Sequence, residues 1–289
     1  MTYNWQQPDW PDFRYDLAAV EPDLLRYAEQ AGQVRGLLQG LPESAQNDAL
    51  VEFMIAEAMK SSAIEGEVLS RPDVKSSVRH RLGLDDAPSA RIDDASAGAA
   101  ELMVKVREHW DASLDAPMLW DWHRVLMTGN TRIKVGAWRT HAEPMQVISG
   151  AVGKERLHFE APPSAQVPVE MERFTQWFNA SRTTIVAGPV RAALAHLYFE
   201  SIHPFEDGNG RLGRALAEKA LSQNLGRPAT ISLSRIIEAN RREYYDALEQ
   251  AQRSHKVTAW MNYFVPTVVA AQEDAVRLVA FVLDQTKLF

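Results

Sequence analysis

Residues 203–214 read HPFEDGNGRLGR. Ahead of them Val190, Ala193, Leu194, Leu197 and Ile202 recur at helical spacing. Pro204 ends that helix or forces a turn, because it lacks an N–H and restricts its neighbour. Gly208-Asn209-Gly210 then gives a flexible loop that opens onto a second helix, from about Arg211 to Leu221. A glycine-rich loop at a helix N-terminus presents unpaired N–H groups and the positive end of the dipole, which suits phosphate. Arg211 and Arg214 share a face of the second helix and can reach one anion. Asp207, just before the loop, is a hard oxygen ligand of the sort that holds Mg2+ beside a phosphate. Histidine is the side chain that works as a base near neutral pH, which nominates His203.

Other readings of the same residues compete. Gly208-Asn-Gly-Arg-Leu-Gly213 matches the letters of a dinucleotide fingerprint, but that pattern needs a strand before it and an acidic residue about 20 positions on. A helix precedes it here, and Pro228 stands at that distance. The stretch approaches a phosphate-binding Walker loop, but Arg214-Ala215 replaces the required Lys-Ser/Thr. His196, Glu200 and His203 fall at i, i+4 and i+7, a spacing that puts three zinc ligands on one helix face. Bracing of the loop by His196 and Glu200 is the plainer alternative, and a simple tight turn is the plainest.

Working outward, helical periodicity covers about Pro22–Leu41 and Ser44–Ile64, the latter ending at Gly66. Residues 70–93 are polar, and Pro72 and Pro88 read as turn markers. Helical patterns follow at about 93–109, 116–128, 168–180, 189–202, 209–224, 234–253 and 257–284. Met145–Ser149 and Arg156–Glu160 read as two short strands around the turn 150–155, a β-hairpin. Pro8 and Pro11 argue against a helix in residues 1–16, whose Trp5, Trp10 and Phe13 point to an extended segment lying on the body. The pattern is mainly α, with no alternation of strands and helices.

The 289 residues carry 31 Lys+Arg against 38 Asp+Glu, a net charge of −7, which disfavours wide nucleic-acid binding. The chain has no cysteine, so disulfides, thiolate zinc sites and thiol nucleophiles are excluded, and a reducing, cytoplasmic location is expected. No apolar run is long enough to span a membrane.

HPFEDGNGRLGR resembles the Fic motif, HPFx(D/E)GNGRxxR, at every specified position. The helix PVRAALAHLYFESI and the later NRREYYDALEQA also resemble the Fic core, so the likeness covers about 95–255. WQQPDWPDFRYD resembles an N-terminal extension of a bacterial subset. The resemblance implies a Fic-type helical bundle with a β-hairpin flap. It divides the chain into an N-terminal helical region (1–92), a Fic core (93–255) and a C-terminal helix (256–289) leading towards a further domain.

Fic proteins mostly transfer AMP from ATP to a hydroxyl side chain of a target protein, releasing pyrophosphate. Carried over by motif position, His203 is the expected base and Asp207 the expected Mg2+ ligand. Gly208, Asn209 and Gly210 would cradle the phosphates with Arg211 beside them, and Arg214 would pair with the γ-phosphate. Ser61-x-x-x-Glu65-Gly66, by itself a common surface pattern, resembles the family's inhibitory motif (S/T)xxxE(G/N), whose Glu pairs with the second motif arginine. The hairpin implies a flap that aligns the target by strand addition, with Val147, Ile148, Leu157 and His158 as candidates. Tyr244 and Tyr245 fall where the family builds part of the adenine pocket; Gln252 replaces an Asn found in some relatives. Expected partners are ATP, a target protein with an acceptor hydroxyl and a second copy of the chain. Alternatives are removal of AMP using Glu65, transfer of another nucleotide, and a non-catalytic interaction module.

Overall fold

The structure is a computed structural model. It describes residues 2–85, 92–149 and 156–286, with side chains through residue 280. Its centre is helix α7 (Gly188–Ile202), in which every residue is buried, Arg191, His196 and Glu200 included. A helix without a solvent face lies inside a bundle. Around it pack α6 (Val167–Thr184), α8 (Asn209–Leu225) and α11 (Thr258–Thr286). Helices α4 (Asp94–Glu108) and α5 (Ala116–Leu126) extend this layer; α5 begins with an Asp115 cap on the Met118 N–H at 2.8 Å.

The N-terminal helices close the other side. α1 (Glu21–Gln39) lies along α11, while α2 (Glu43–Ile64) packs on α9 (Leu233–Ala239), α4 and α3 (Arg71–Arg81). The main apolar core runs from Tyr27 of α1 through Ile55 of α2 and Phe199 of α7 to Val279 of α11, and a smaller one of Tyr3, Phe159 and Ala161 lies apart from it.

Two expectations are corrected. Pro72 is not a turn marker: it sits in the first turn of α3, where a missing N–H costs nothing, and the Ser70 side chain accepts from the Asp73 N–H at 3.4 Å. Val74, Ser77 and Val78 then bury one face of α3. The stretch 234–253 is two helices, α9 and α10 (Arg241–Ala251), broken at Asn240, whose φ −130° and ψ 45° leave the helical region. Pro88 and the turn 150–155 lie outside the described residues.

The hairpin forms as expected from β1 (Gln146–Ser149) and β2 (Arg156–Glu160), antiparallel. Val147 pairs with Phe159 and Ile148 with Leu157, so His158 is the extra residue of a bulge. The N-terminal segment lies against the body as expected, but it is not extended: Asn4–Gln6 form one turn of 3-10 helix, followed by further turns. Asn4 is fully buried; its N–H donates to the Gln252 carbonyl at 2.8 Å and its side chain to Ser201 Oγ at 2.8 Å. Trp5 Nε1 donates to the Glu160 carbonyl at 2.7 Å, and the Tyr3 ring packs edge-on against Phe159. The segment thus straps the base of the hairpin to α7 and α10.

Candidate active site

His203 closes α7 in the left-handed region, at φ 51° and ψ 61°, the one non-glycine with positive φ among the described residues. Such a backbone costs roughly 1–3 kcal/mol and persists only where its surroundings over-determine it. Arg139 does so here. Its buried guanidinium donates to the carbonyls of His203 at 2.8 Å, Pro162 at 2.5 Å and Ile202 at 3.3 Å, and to Ser164 Oγ at 2.9 Å. Burial pulls the Arg139 pKa down to about 10, so it stays charged at neutral pH.

The next residues are held by side chains turned inward. Phe205 is fully buried and stacks on His123, with ring centroids 4.0 Å apart. Gly136 N–H donates to His123 Nδ1 at 2.8 Å, which puts the imidazole proton on Nε2, 3.2 Å from the Asp207 carbonyl that accepts it. Burial drives the His123 pKa down to about 4, so the ring stays neutral. The Asn209 amide is paired both ways with the Phe205 backbone, at 2.9 Å each. Its side chain therefore braces the loop, which leaves Asn209 its backbone N–H to offer an anion. Gly208 takes φ 80°, and no side chain caps the first turn of α8, so the helix presents free N–H groups.

Helix α2 ends on this loop. Arg214, fully buried, donates through Nε to Ser61 Oγ at 3.0 Å, and through Nη2 to the Ser61 carbonyl and Glu65 Oε1, both at 2.8 Å. Burial works against its charge, but Glu65 beside it more than offsets this and holds the pKa above the ordinary arginine value. Gly66 takes φ 84°, which turns the chain sharply after Glu65. A Cβ on Gly210 would stand 2.2 Å from Glu65 Oε1, so this docking requires glycine there. Arg211 is engaged as well: Nη1 donates to Glu67 Oε2 at 2.5 Å, and Asp207 lies 3.6 Å away. Glu65-Gly66-Glu67 therefore engages both motif arginines.

Behind the loop, His196 Nε2 is 2.8 Å from the Tyr244 hydroxyl, and Glu200 stands 3.6 Å from His203 Nδ1. Burial opposes ionisation of Glu200, but His203, His196 and Arg214 hold its carboxyl below the usual range. Among the described residues no trio of His, Asp and Glu is placed to hold a metal, so the zinc spacing is not used that way. The helix α7 before Gly208 likewise removes the dinucleotide reading.

These parts open on one cleft of about 780 Å³. His203, Asp207, Gly208, Asn209, Gly210, Glu65 and Gly66 line one side. Val147, Ile148 and His158 of the hairpin and Tyr244 and Tyr245 of α10 line the rest of it. Tyr244 is buried, whereas Tyr245 is 40% exposed and donates to the Ile64 carbonyl at 3.1 Å. Arg211, Arg214, Ser61 and Leu157 do not line the cleft; the arginines stand behind its acidic lip. Gln252 Nε2 donates to the Glu200 carbonyl at 3.1 Å, so its amide ties α10 to α7. Arg139, His123, Glu67 and Glu249 are site residues that the motif does not contain. The only sequence trace of any of them is the acidic residue next to Gly66.

A helical bundle with a glycine loop after its central helix and a hairpin facing it is the Fic-type fold. The chain carries a Fic/DOC family domain over residues 113–221, and residues 3–84 match a domain of unknown function, DUF4172. It is 40% identical over 91 residues to the protein adenylyltransferase Fic of Culex quinquefasciatus, covering 31% of this chain and 17% of that one. With the protein adenylyltransferase Fic of Aedes aegypti it is 37% identical over 115 residues, covering 38% and 21%. The chain thus spans about a fifth of the length of those curated relatives. A Fic family protein from Desulfovibrio desulfuricans G20 shares the fold at a TM-score of 0.67 and 22% identity, over 92% of this chain and 76% of that one.

Proposed function

We propose that the protein is an autoinhibited protein adenylyltransferase, moving AMP from ATP to a hydroxyl of a target protein with release of pyrophosphate. The observation that carries it is the Glu65–Arg214 pair at 2.8 Å, set beside the cleft that holds His203 and the glycine loop. A buried guanidinium next to an uncapped helix N-terminus is an anion site, and here a carboxylate of the same chain occupies it.

Phosphoryl-type transfer needs chiefly positioning and charge neutralisation. The first-turn N–H groups of α8 and Gly208 would take phosphate oxygens, Arg211 would neutralise them, and Arg214 would receive the γ-phosphate once Glu65 leaves. His203 would take the proton of the incoming hydroxyl, with Glu200 stabilising the imidazolium from 3.6 Å. Asp207 fits Mg2+: its side chain is 53% exposed, Oδ1 accepts from the Gly208 N–H at 2.6 Å, and Oδ2 remains for a cation. A magnesium site of one carboxylate completed by phosphates needs no protein cage, and the ion would offset phosphate charge. Tyr244 and Tyr245 would flank the adenine. Ile148 and Leu157, 55% and 42% exposed, offer an apolar hairpin edge to an added strand.

Two carboxylates hold the arginines, so inhibition is shared. Losing a hydrogen bond to a charged group is worth about 1.5–3 kcal/mol, roughly ten- to a hundredfold. Glu65→Gly should raise transfer from labelled ATP to a partner protein by that order, and adding His203→Ala should abolish that transfer. Equal transfer with and without His203 would sink the mechanism. A second reading is favoured by the close approach of Glu65 to Gly210, which stands a carboxylate at the anion loop where it could orient a water. On that reading the unaltered protein removes AMP from a modified target and Glu65→Gly does not; no AMP release by the former counts against it. Offering each labelled triphosphate in turn fixes the nucleotide.

A further inference from the structure

One face of α7 leads a row of polar side chains up to the base. His196, Glu200 and His203 stand at i, i+4 and i+7, and the first two are buried. Glu200 Oε2 lies 3.6 Å from His203 Nδ1, and His196 Nε2 lies 2.8 Å from the Tyr244 hydroxyl on α10. His196 Nδ1, Glu200 Oε1 and His203 Nδ1 are buried without a hydrogen-bond partner among the described residues. Orphaned buried polar atoms are costly, and packing alone gives no reason to keep three in one row. A Cβ on Gly213 would stand 2.6 Å from Glu200 Oε1 and 2.9 Å from His196 Nδ1. Both atoms thus crowd one spot against α8, and a glycine that the motif leaves unspecified is what admits them.

The protons of this row follow from its middle. Burial opposes ionisation of Glu200, but His203, His196 and Arg214 of α8 outweigh it, so the carboxylate only accepts. Burial also keeps His196 neutral and pushes the Tyr244 hydroxyl well above its ordinary pKa, so the tyrosine keeps its proton. Tyr245 beside it feels the same Glu200 charge. A lone pair on His196 Nδ1 would face the carboxylate. Nδ1 therefore carries the ring proton, and Tyr244 donates to Nε2. The same reasoning at the other end puts the His203 proton on Nδ1, towards Glu200. His203 Nε2 then keeps its lone pair, on a ring that lines the cleft.

Resting on the reading of His203 as the base, we propose that Glu200, seated by His196 and Gly213, is its positioning residue and fixes the tautomer that leaves Nε2 free for the target's proton. The hydroxyl proton passes to Nε2, the Nδ1 proton stays on His203, and Glu200 remains a carboxylate throughout. The 3.6 Å separation shortens to a hydrogen bond as His203 gains charge, as catalytic contacts tighten on reaction. His196 engages Oε1, which keeps Oε2 turned to His203. Tyr244 ties the row to α10, so the base is aimed from a helix that also lines the cleft.

Nitrogen NMR of the full chain with labelled histidine reads the tautomer directly, the His203 signals being assigned by their loss in His203→Ala. The neutral ring is expected to carry its proton on Nδ1 in the unaltered protein and in part on Nε2 in Glu200→Gln. Activity is read in the Glu65→Gly chain as initial rate with labelled ATP, Mg2+ and a cell lysate as the source of acceptor. Adding Glu200→Gln should lower transfer about a hundredfold, the order of a misaimed catalytic group, with ATP affinity by calorimetry level. The acid limb of the pH profile should move to lower pH, because the carboxylate that holds the imidazolium is gone. Glu200→Asp should recover part of the rate. A fall in rate with tautomer and acid limb unmoved makes Glu200 merely structural and overturns the proposal. A His203 proton on Nε2 in the unaltered protein overturns it without recourse to any Glu200 variant. If Glu65→Gly transfers no AMP although the proton sits on Nδ1, the adenylyltransferase reading fails and the tautomer assignment stands.

Discussion

At the scale of single residues, the site depends on groups that never meet substrate. Arg139 holds four oxygens around the strained His203 turn, with no carboxylate paired to it among the described residues. Arg139→Met would leave buried carbonyls unpaired, each at about 1–3 kcal/mol, and would release the backbone of His203. The expected loss is roughly 3 kcal/mol in urea unfolding, with a fall in transfer larger than the fall in ATP affinity. His123 makes a pH prediction. Unfolded, it titrates near ~6.5, and folded at about 4, so between those values only the unfolded chain binds the proton. Stability that His123 leaves intact above pH ~6.5 is therefore lost as pH falls towards 4. Urea midpoints at pH 7, 5.5 and 4 should drop more steeply for the unaltered protein than for His123→Asn; parallel slopes would refute it. The motif was legible because its chemistry is local: base, ligand, glycines and arginines are neighbours in sequence. Arg139 and His123 were not, because their partners are backbone groups far along the chain.

At the scale of elements, Ser61, Glu65 and Gly66 could be read as a lock only through the family pattern; as a bare sequence they look like a solvated helix end. In the structure Ser61 and Glu65 accept from Arg214, and the left-handed Gly66 brings Glu67 back towards Arg211. Glu67 is 41% exposed, and a pair of that kind is worth roughly 0.2–1 kcal/mol. Adding Glu67→Gln to Glu65→Gly should thus increase transfer only a few-fold further, read as initial rate at limiting ATP. Helix α3 escapes a reading of the sequence that gives Pro72 its breaking role, because in the first turn a proline costs no hydrogen bond. The strap makes its own prediction. Trp5→Ala removes the bond to Glu160 and loosens the hairpin base. Amides of β2 should exchange faster and transfer to protein should fall, while ATP affinity stays level. Unchanged β2 exchange would mean the strap does not hold the flap.

At the scale of the whole molecule, the net charge of −7 says little about a ligand as acidic as ATP, because the field that matters is made locally by α8, Arg211 and Arg214. What the whole molecule does decide is how Glu65 could part from Arg214. Helix α2 buries Val51, Phe53, Met54, Ile55 and Ile64, each worth about 1.5–3 kcal/mol when removed from water. Its buried Glu57 accepts from the Ser234 N–H and from Ser232 Oγ, both at 2.9 Å, which pins it to the start of α9. Withdrawing the helix would cost roughly 10 kcal/mol, comparable with the stability of a whole domain. The boundary between the two matched regions is therefore no hinge, since the core crosses it. Release of Arg214 must come from side chains and backbone at residues 65–67, with α2 staying docked. Native-state hydrogen exchange tests this. Amides in the middle of α2 should open only with global unfolding, in the unaltered protein and in Glu65→Gly, with or without ATP. Exchange of those amides at a much lower free energy when ATP is added would show that the lock opens by moving the helix.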